Sequence, residues 1–363
     1  MPSNFRYSAA KTSNLNKIFK SPTKKKNTLK GILPSQVKYK QNLNKSDEGE
    51  QLQISDYDVK LDYQLSRNND IITAIDTIVD NQWTESSSLD RFIDETETME
   101  QRVFKLSGLS MAVKAEIMKY RLQLPQGLIT TNQLYSIFEN EGNTFVDKSV
   151  ELAIRQGKVR KFIITNASPI ISNINKKTTG KMTYGYENVE ILTKSETYFH
   201  CIDKLLSKYK DKPQEEILQK FLQFVKTNPN ALYVSMNNGF AHNELSMLID
   251  LGFLTLTSNH LNEIESQQYS ISYPNCGIYL KLINTGRSWI VKTLSKSKFK
   301  EYLEDQLISK WEGSDLNGSK MNNYRKPFYG FELNWILADC LGSGILEVFN
   351  TPVGRGWKLT GKR

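Results

Sequence analysis

The stretch Phe331-Glu-Leu-Asn-Trp-Ile-Leu-Ala-Asp-Cys-Leu-Gly342-Ser-Gly-Ile-Leu-Glu-Val-Phe349 changes its period in the middle. Up to the glycine, Ile336, Leu337 and Leu341 fall at helical spacing; beyond it the alternation is that of a strand. A glycine at the switch suits a helix that ends on a left-handed residue. The same grammar occurs twice upstream. Asp147-Lys-Ser-Val-Glu-Leu-Ala-Ile-Arg-Gln-Gly157-Lys-Val-Arg-Lys-Phe-Ile-Ile164 carries Val150 and Ile154 on its stripe. His242-Asn-Glu-Leu-Ser-Met-Leu-Ile-Asp-Leu-Gly252-Phe-Leu-Thr-Leu-Thr257 carries Leu245, Leu248 and Ile249.

A helix that ends in glycine and feeds a hairpin is how the last helix and wing of a winged-helix domain read. Three in tandem predict an α+β, helix-dominated chain of three winged helices, built to bind nucleic acid or to dock proteins. The expected bounds are 101–195, 196–295 and 296–363, after a disordered region over 1–100. In the first module, helices are expected over Met111–Leu124, Thr131–Phe138 and Asp147–Gln156, then a strand over Lys158–Thr165 and a polar, basic wing over Asn175–Tyr186. The second takes helices Tyr198–Lys208, Glu215–Thr227 and His242–Leu251, a strand Phe253–Thr257, a returning strand Ile278–Ile283 and a turn at Asn284-Thr-Gly-Arg287. The third takes helices Ser288–Leu294 and Phe299–Trp311, a loop over 313–327, a helix over 331–341, and a hairpin from Ile345–Asn350 through Thr351–Gly356 to Trp357–Thr360.

Charge is unevenly spread through a chain of net +9. Residues 1–46 hold eleven Lys/Arg and no acid, residues 47–100 hold fifteen Asp/Glu against three Lys/Arg, and residues 101–363 keep net +10. Like-charge blocks of low hydrophobicity bury too little apolar surface to offset their ordering entropy, so both N-terminal blocks read as disordered. Within the first, Phe19-Lys-Ser-Pro-Thr-Lys-Lys-Lys26 suits either a nuclear-import signal at Lys24, Lys25 and Lys26 beside a proline-directed site at Ser21, or a solvated arm. Within the second, Asp70–Val79 and Trp83–Ile93 suit docking peptides or, slightly better, a linker with one short helix. No apolar run reaches membrane-spanning length and no signal peptide opens the chain, so a soluble protein that is not secreted is expected. Cys201, Cys276 and Cys340 lack CxxC spacing and read as reduced thiols. His200, His242 and His260 have no ligand or base partner at useful spacing, so neither a metal nor another cofactor is expected.

Several of these stretches together resemble the serine/threonine-protein kinase 19 family. They are Phe145–Arg160, Asn238–Thr255, Ile283-Asn-Thr-Gly-Arg-Ser-Trp-Ile290, Phe299-Lys-Glu-Tyr-Leu-Glu-Asp-Gln-Leu307 and Tyr329–Leu341 with its hairpin, in order over roughly 103–360. That resemblance implies three tandem winged helices, a nuclear location and binding of double-stranded DNA. It also implies a role in transcription-coupled nucleotide excision repair, helping to place transcription factor IIH on stalled RNA polymerase II. The wings, the 313–327 linker and the long N-terminal region depart from the family. Phosphoryl transfer needs a Gly-rich loop, a strand lysine, a catalytic-loop aspartate and a metal-binding DFG. The sequence has no GxGxxG, HRD or DFG, and Gly342-Ser-Gly344 and Gly354-Arg-Gly356 sit in hairpin context, so no enzyme is expected despite the family's name.

For DNA, the candidate phosphate contacts are Lys158, Arg160 and Lys161 after the first recognition helix, with Lys176, Lys177 and Lys181 on its wing. Arg287, Lys292, Lys296, Lys298 and Lys300 make a second cluster, and Arg355 with Lys358 a third on the last wing. Base reading is poorly served: Asp147, Glu151, Glu244 and Glu332 on the third helices repel phosphate, which predicts binding by backbone and shape. The rival class is a scaffold that bridges proteins of a transcription or repair complex without touching DNA.

Overall fold

A computed structural model of the chain describes residues 70–86, 98–169, 186–256, 268–314 and 318–360. Among them are eleven α-helices and nine short strands, so helix dominates an α+β architecture. The strands form three separate three-stranded antiparallel sheets. In each sheet the strand that comes last in sequence lies in the middle.

One element order generates all three: helix, strand, helical segment, helix, then two hairpin strands. The first copy is α1 (Ile71–Asp80), β1 (Ile129–Thr130), α4 (Thr131–Ile137), α5 (Asn143–Arg155), β2 (Val159–Pro169) and β3 (Tyr186–Lys194). Between α1 and β1 the chain inserts α2 (Met99–Lys105) and α3 (Met111–Arg121). After α6 (Ser195–Lys208), the second copy is α7 (Pro213–Thr227), β4 (Tyr233–Ser235), a 3-10 turn at Met236–Asn238, α8 (His242–Asp250), β5 (Leu254–Leu256) and β6 (Gln268–Ile271). The third is α9 (Cys276–Leu294), β7 (Glu301–Leu303), α10 (Glu304–Glu312), α11 (Leu333–Gly342), β8 (Leu346–Thr351) and β9 (Gly354–Leu359).

The helix expected over Phe299–Trp311 begins only at Glu304, because Glu301–Leu303 pairs with β9 as a strand, and two larger expectations change as well. The first helix of the first copy is α1, not the helix at Met111. Asp70 caps α1 through Thr73 N–H at 2.9 Å, and Ile71, Ala74, Ile75 and Ile78 recur every three or four residues on one buried face. That face packs on α4 and α5, so residues 70–86 are core rather than linker. Helix α3 instead joins a satellite cluster, with Val103 and Ile117 against Tyr324 and Tyr329.

The second change is α9. The expected strand Ile278–Ile283 and turn Asn284–Arg287 are one nineteen-residue helix, and the returning strand of the second copy is β6. Cys276, Tyr279, Leu280, Ile283, Gly286, Arg287, Ile290, Val291 and Leu294 are buried along it at helical spacing. Gly286 is not a turn residue: a β-carbon there would sit 2.6 Å from Ile336 Cδ1, so the glycine lets α11 approach. Likewise Gly157 and Gly252 close their helices in the left-handed region, but in the third copy Gly344 does so. Gly342 is the last residue of α11, where a β-carbon would lie 1.7 Å from the Asn132 carbonyl oxygen.

The three copies share one continuous apolar core. Helix α11 lies at its centre, with Trp335, Ile336, Leu337, Ala338, Asp339 and Cys340 all buried. The Trp335 indole N–H donates to Ile78 O at 3.0 Å, Gln133 Nε2 donates to Trp335 O at 3.2 Å, and Tyr279 O–H donates to Leu128 O at 3.1 Å. Asp339 accepts from Arg287 Nε at 2.5 Å, Arg287 Nη2 at 2.9 Å and Thr130 Oγ1 at 2.6 Å. First and third copies are thereby bolted together. The second is held by Phe162 of β2, whose ring centroid is 5.1 Å from that of Tyr198 and 6.1 Å from that of Tyr273.

Three outcomes follow from this packing. Asp339→Ala strands a buried guanidinium and should cost about 3–5 kcal/mol in urea unfolding, whereas replacing Arg287 and Asp339 together by Met and Leu should recover most of it. Gly342→Ala should lower the midpoint of thermal unfolding, while Gly277→Ala, on open surface early in α9, should leave it level or raise it. A fragment that starts at Thr98 loses the buried Ile71, Ile75, Ile78 and Trp83, each of which contributes about 1.5–3 kcal/mol, so its unfolding should be broad; a fragment that starts at Asp70 should unfold cooperatively.

Candidate nucleic-acid interface

Cationic side chains divide into two populations. The arginines proposed from sequence are inside. Arg160 is 2 % exposed, and its Nη1 donates to Val225 O at 2.8 Å and Nη2 to Asn228 O at 3.4 Å, so it ties off the C-terminal end of α7. Burial pushes its pKa down. Arg287 is 4 % exposed and belongs to Asp339. Arg355 is 6 % exposed, bonded to the Glu304 carboxylate and stacked with its guanidinium carbon 4.9 Å from the centre of the Trp357 ring. None of the three lies on an exposed face, which corrects that part of the expectation. The reason is long-range: each has an acceptor 51 to 65 residues away in sequence.

The lysines stay outside. Lys158 is exposed at the end of α5, and it lies near enough to Asp70 to lower that carboxyl's pKa, after the larger effect of the Thr73 backbone N–H. Lys161 is half-buried and 3.7 Å from Glu190. The first cluster is therefore partly neutralised by the chain's own acids. Lys176, Lys177 and Lys181 lie outside the described residues, as do Lys24, Lys25 and Lys26.

The second cluster fares differently. Lys292 sits in the last turn of α9, where the carbonyl end of the helix dipole favours a cation. The chain then runs through Lys296, Lys298 and Lys300, all exposed, to β7. Among the described residues, no carboxylate oxygen lies within 4.0 Å of any of these four ammonium groups. The turn is fixed by Ser295 N–H to Val291 O at 2.9 Å, Ser297 N–H to Leu294 O at 3.0 Å and Lys300 N–H to Ser297 O at 3.2 Å. Leu359 N–H then bonds to Lys300 O at 3.1 Å, which sets β9 and its exposed Lys358 beside the turn. Lys358 is shared with Glu347 at 3.6 Å. The sequence put Lys358 on a separate wing; pairing of β7 with β9 brings it to the second cluster.

One cation escaped the sequence reading. Lys281 is exposed on α9, and with Leu280, Asn284, Thr285, Ser288 and Lys292 it lines a shallow depression along that helix. The signal was the spacing of these residues, hidden because the segment read as strand and turn.

The third helices of the copies offer little for bases. On α5, Arg155 is engaged by Glu151 at 3.1 Å, with Phe145 and Leu152 exposed beside it. On α8, Glu244 bonds to Lys220 at 2.6 Å and to Ala241 N–H at 2.7 Å; the lysine foremost and then the amide hold its carboxyl below the usual range. Helix α11 is buried. Burial raises the pKa of all three thiols, so none is poised as a nucleophile. No group of three or more potential metal ligands occurs among the described residues.

Residues 97–359 match a family model described as inactive serine-threonine protein kinase 19. The chain is also similar to the serine/threonine-protein kinase mug51 of Schizosaccharomyces pombe, 28% identical over 247 residues that cover 66% of this chain and 68% of that one. Helix α1 lies outside the residues the family model matches. With most of its length matched in this way, the chain belongs to the inactive serine-threonine protein kinase 19 family.

Proposed function

We propose that the chain is a nuclear, non-enzymatic protein of three tandem winged helices that binds double-stranded DNA through its phosphates, with little sequence preference. The helix–strand–helix–helix–strand–strand order, repeated with the same strand order in each sheet, is what a winged helix requires. One observation carries the DNA reading: Lys292, Lys296, Lys298 and Lys300 stand exposed and without carboxylate partners among the described residues, in a chain whose 101–363 portion is net +10. Cations placed so release counterions when they meet a polyanion. The third helices, one buried and two carrying engaged acids, favour backbone contact over base reading. A role in transcription-coupled nucleotide excision repair, as a factor that positions transcription factor IIH at stalled RNA polymerase II, rests on the family resemblance alone. So does the nuclear location, beside the lysines at 24–26.

A second reading has its own observation. Phe145 and Leu152 are exposed seven residues apart on α5, flanked by Asp147 and Glu151, a face that suits a protein better than DNA. A scaffold that holds a partner on α5 and DNA at the α9 turn satisfies both.

Salt titration checks the main reading. About five phosphate contacts should give a log–log slope of binding against salt near −4 to −5. Changing Lys292, Lys296, Lys298 and Lys300 to Gln should flatten it by about 3 to 4 and weaken all duplex sequences alike. A slope unchanged by those four substitutions contradicts the placement.

A further inference from the structure

The turn between α9 and β7 also presents something that phosphate neutralisation does not use. Phe299 is 65 % exposed, among the most exposed large apolar side chains of the described residues. A solitary surface phenyl group is ordinary. This one is framed by Lys298 and Lys300 on either side, with Lys292 and Lys296 on the same connection, and the Lys298 ammonium lies 5.4 Å from its ring centre. The backbone that carries the ring is fixed. Lys300, with φ of 58°, accepts the Leu359 amide at its carbonyl and donates its own amide N–H to Ser297 O. A pre-set turn loses little further freedom on binding.

An exposed apolar ring on a lysine-rich turn complements a ligand that is anionic outside and aromatic within. Nucleic acid has that make-up, with phosphates on the rim and base faces behind them. In a perfect duplex those faces are covered by their neighbours. Where bases are mismatched or unpaired, the unstacking cost is already met and a face is available.

We propose that Phe299 is a base-stacking wedge. It rests on a base face at an opened or distorted stretch of DNA while Lys292, Lys296, Lys298 and Lys300 hold the flanking phosphates. This deepens the DNA-binding reading and rests on it. Duplex affinity comes from the lysines, and discrimination between distorted and intact duplex comes from the ring. Stacking on an aromatic side chain is sequence-tolerant because every base has a π-face, so the wedge adds preference for structure rather than for sequence.

The full chain, its Phe299→Ala and Phe299→Trp variants, and the fourfold lysine-to-glutamine variant would be titrated by fluorescence anisotropy. The probes are a short perfect duplex, the same duplex with a central unpaired bubble containing 2-aminopurine, and phosphatidylserine vesicles. The wild-type chain should prefer the bubble by about 5- to 150-fold, the span of base–aromatic stacking, and change the 2-aminopurine emission. Phe299→Ala should bring that preference close to one, Phe299→Trp should keep it, and the lysine variant should weaken both DNA probes. Wild-type protein that binds duplex without preferring the bubble overturns the wedge and leaves the DNA-binding reading intact, as does Phe299→Ala that keeps the preference. Failure to bind either DNA probe removes both. Vesicle binding that Phe299→Ala abolishes, with no change on DNA, assigns the ring to a lipid surface and overturns the proposal.

Discussion

The carboxylate of Asp339 has no access to solvent and three donors around it. A charge in that position is tolerable only with a paired cation and satisfied lone pairs, and every partner must arrive together. Arg287 comes from the first helix of the third copy, and Thr130 from the first strand of the first copy, about two hundred residues back along the chain. The pairing therefore fixes more than one helix on another. It requires that first and third copies close around α11, and the Trp335 and Gln133 bonds then find their acceptors in the same act. Three copies so joined form a single body rather than beads on a thread.

That constraint shapes what the surface can do. A winged helix that reads bases presents its third helix to the major groove. Here the third helix of the last copy is the centre of the core and is closed to any ligand. On the proposed reading, a grip on DNA by the last copy falls to the parts that packing leaves outside, among them the turns between elements. The turn after α9 is such a part, and it is also where lysine has accumulated.

Where the fold was local, the sequence showed it. The helix–glycine–strand switch at 147–164, 242–257 and 331–349 depends on neighbours within a few residues, and all three appear as helix followed by strand. Helix α9 was obscured because Ile278-Tyr-Leu-Lys-Leu-Ile283 satisfies a strand as well as a helix, and Asn284-Thr-Gly286 imitates a turn. The need for Gly286 comes from Ile336, fifty residues on. Helix α1 was obscured by its surroundings: an acidic block predicts a solvated chain, yet four apolar residues at helical spacing suffice once a groove exists to receive them. The candidate site was less legible still. Composition counts cations but cannot distinguish one held by a distant carboxylate from one that faces water.

The division between arginine and lysine has its own logic. Guanidinium is planar, weakly hydrated and able to satisfy two acceptors at once, so it survives burial against Asp339, Glu304 or the carbonyls that end α7. Arg121 repeats the pattern, bonded to Glu85 and to Tyr329 O, with its guanidinium carbon 3.9 Å from the centre of the Trp83 ring. Ammonium is compact and strongly hydrated, and at the α9 turn it remains in solvent. The same properties suit the lysines to phosphate. An ammonium can follow a backbone as a mobile point charge and demands no fixed fork geometry, as the proposed grip on DNA of any sequence requires.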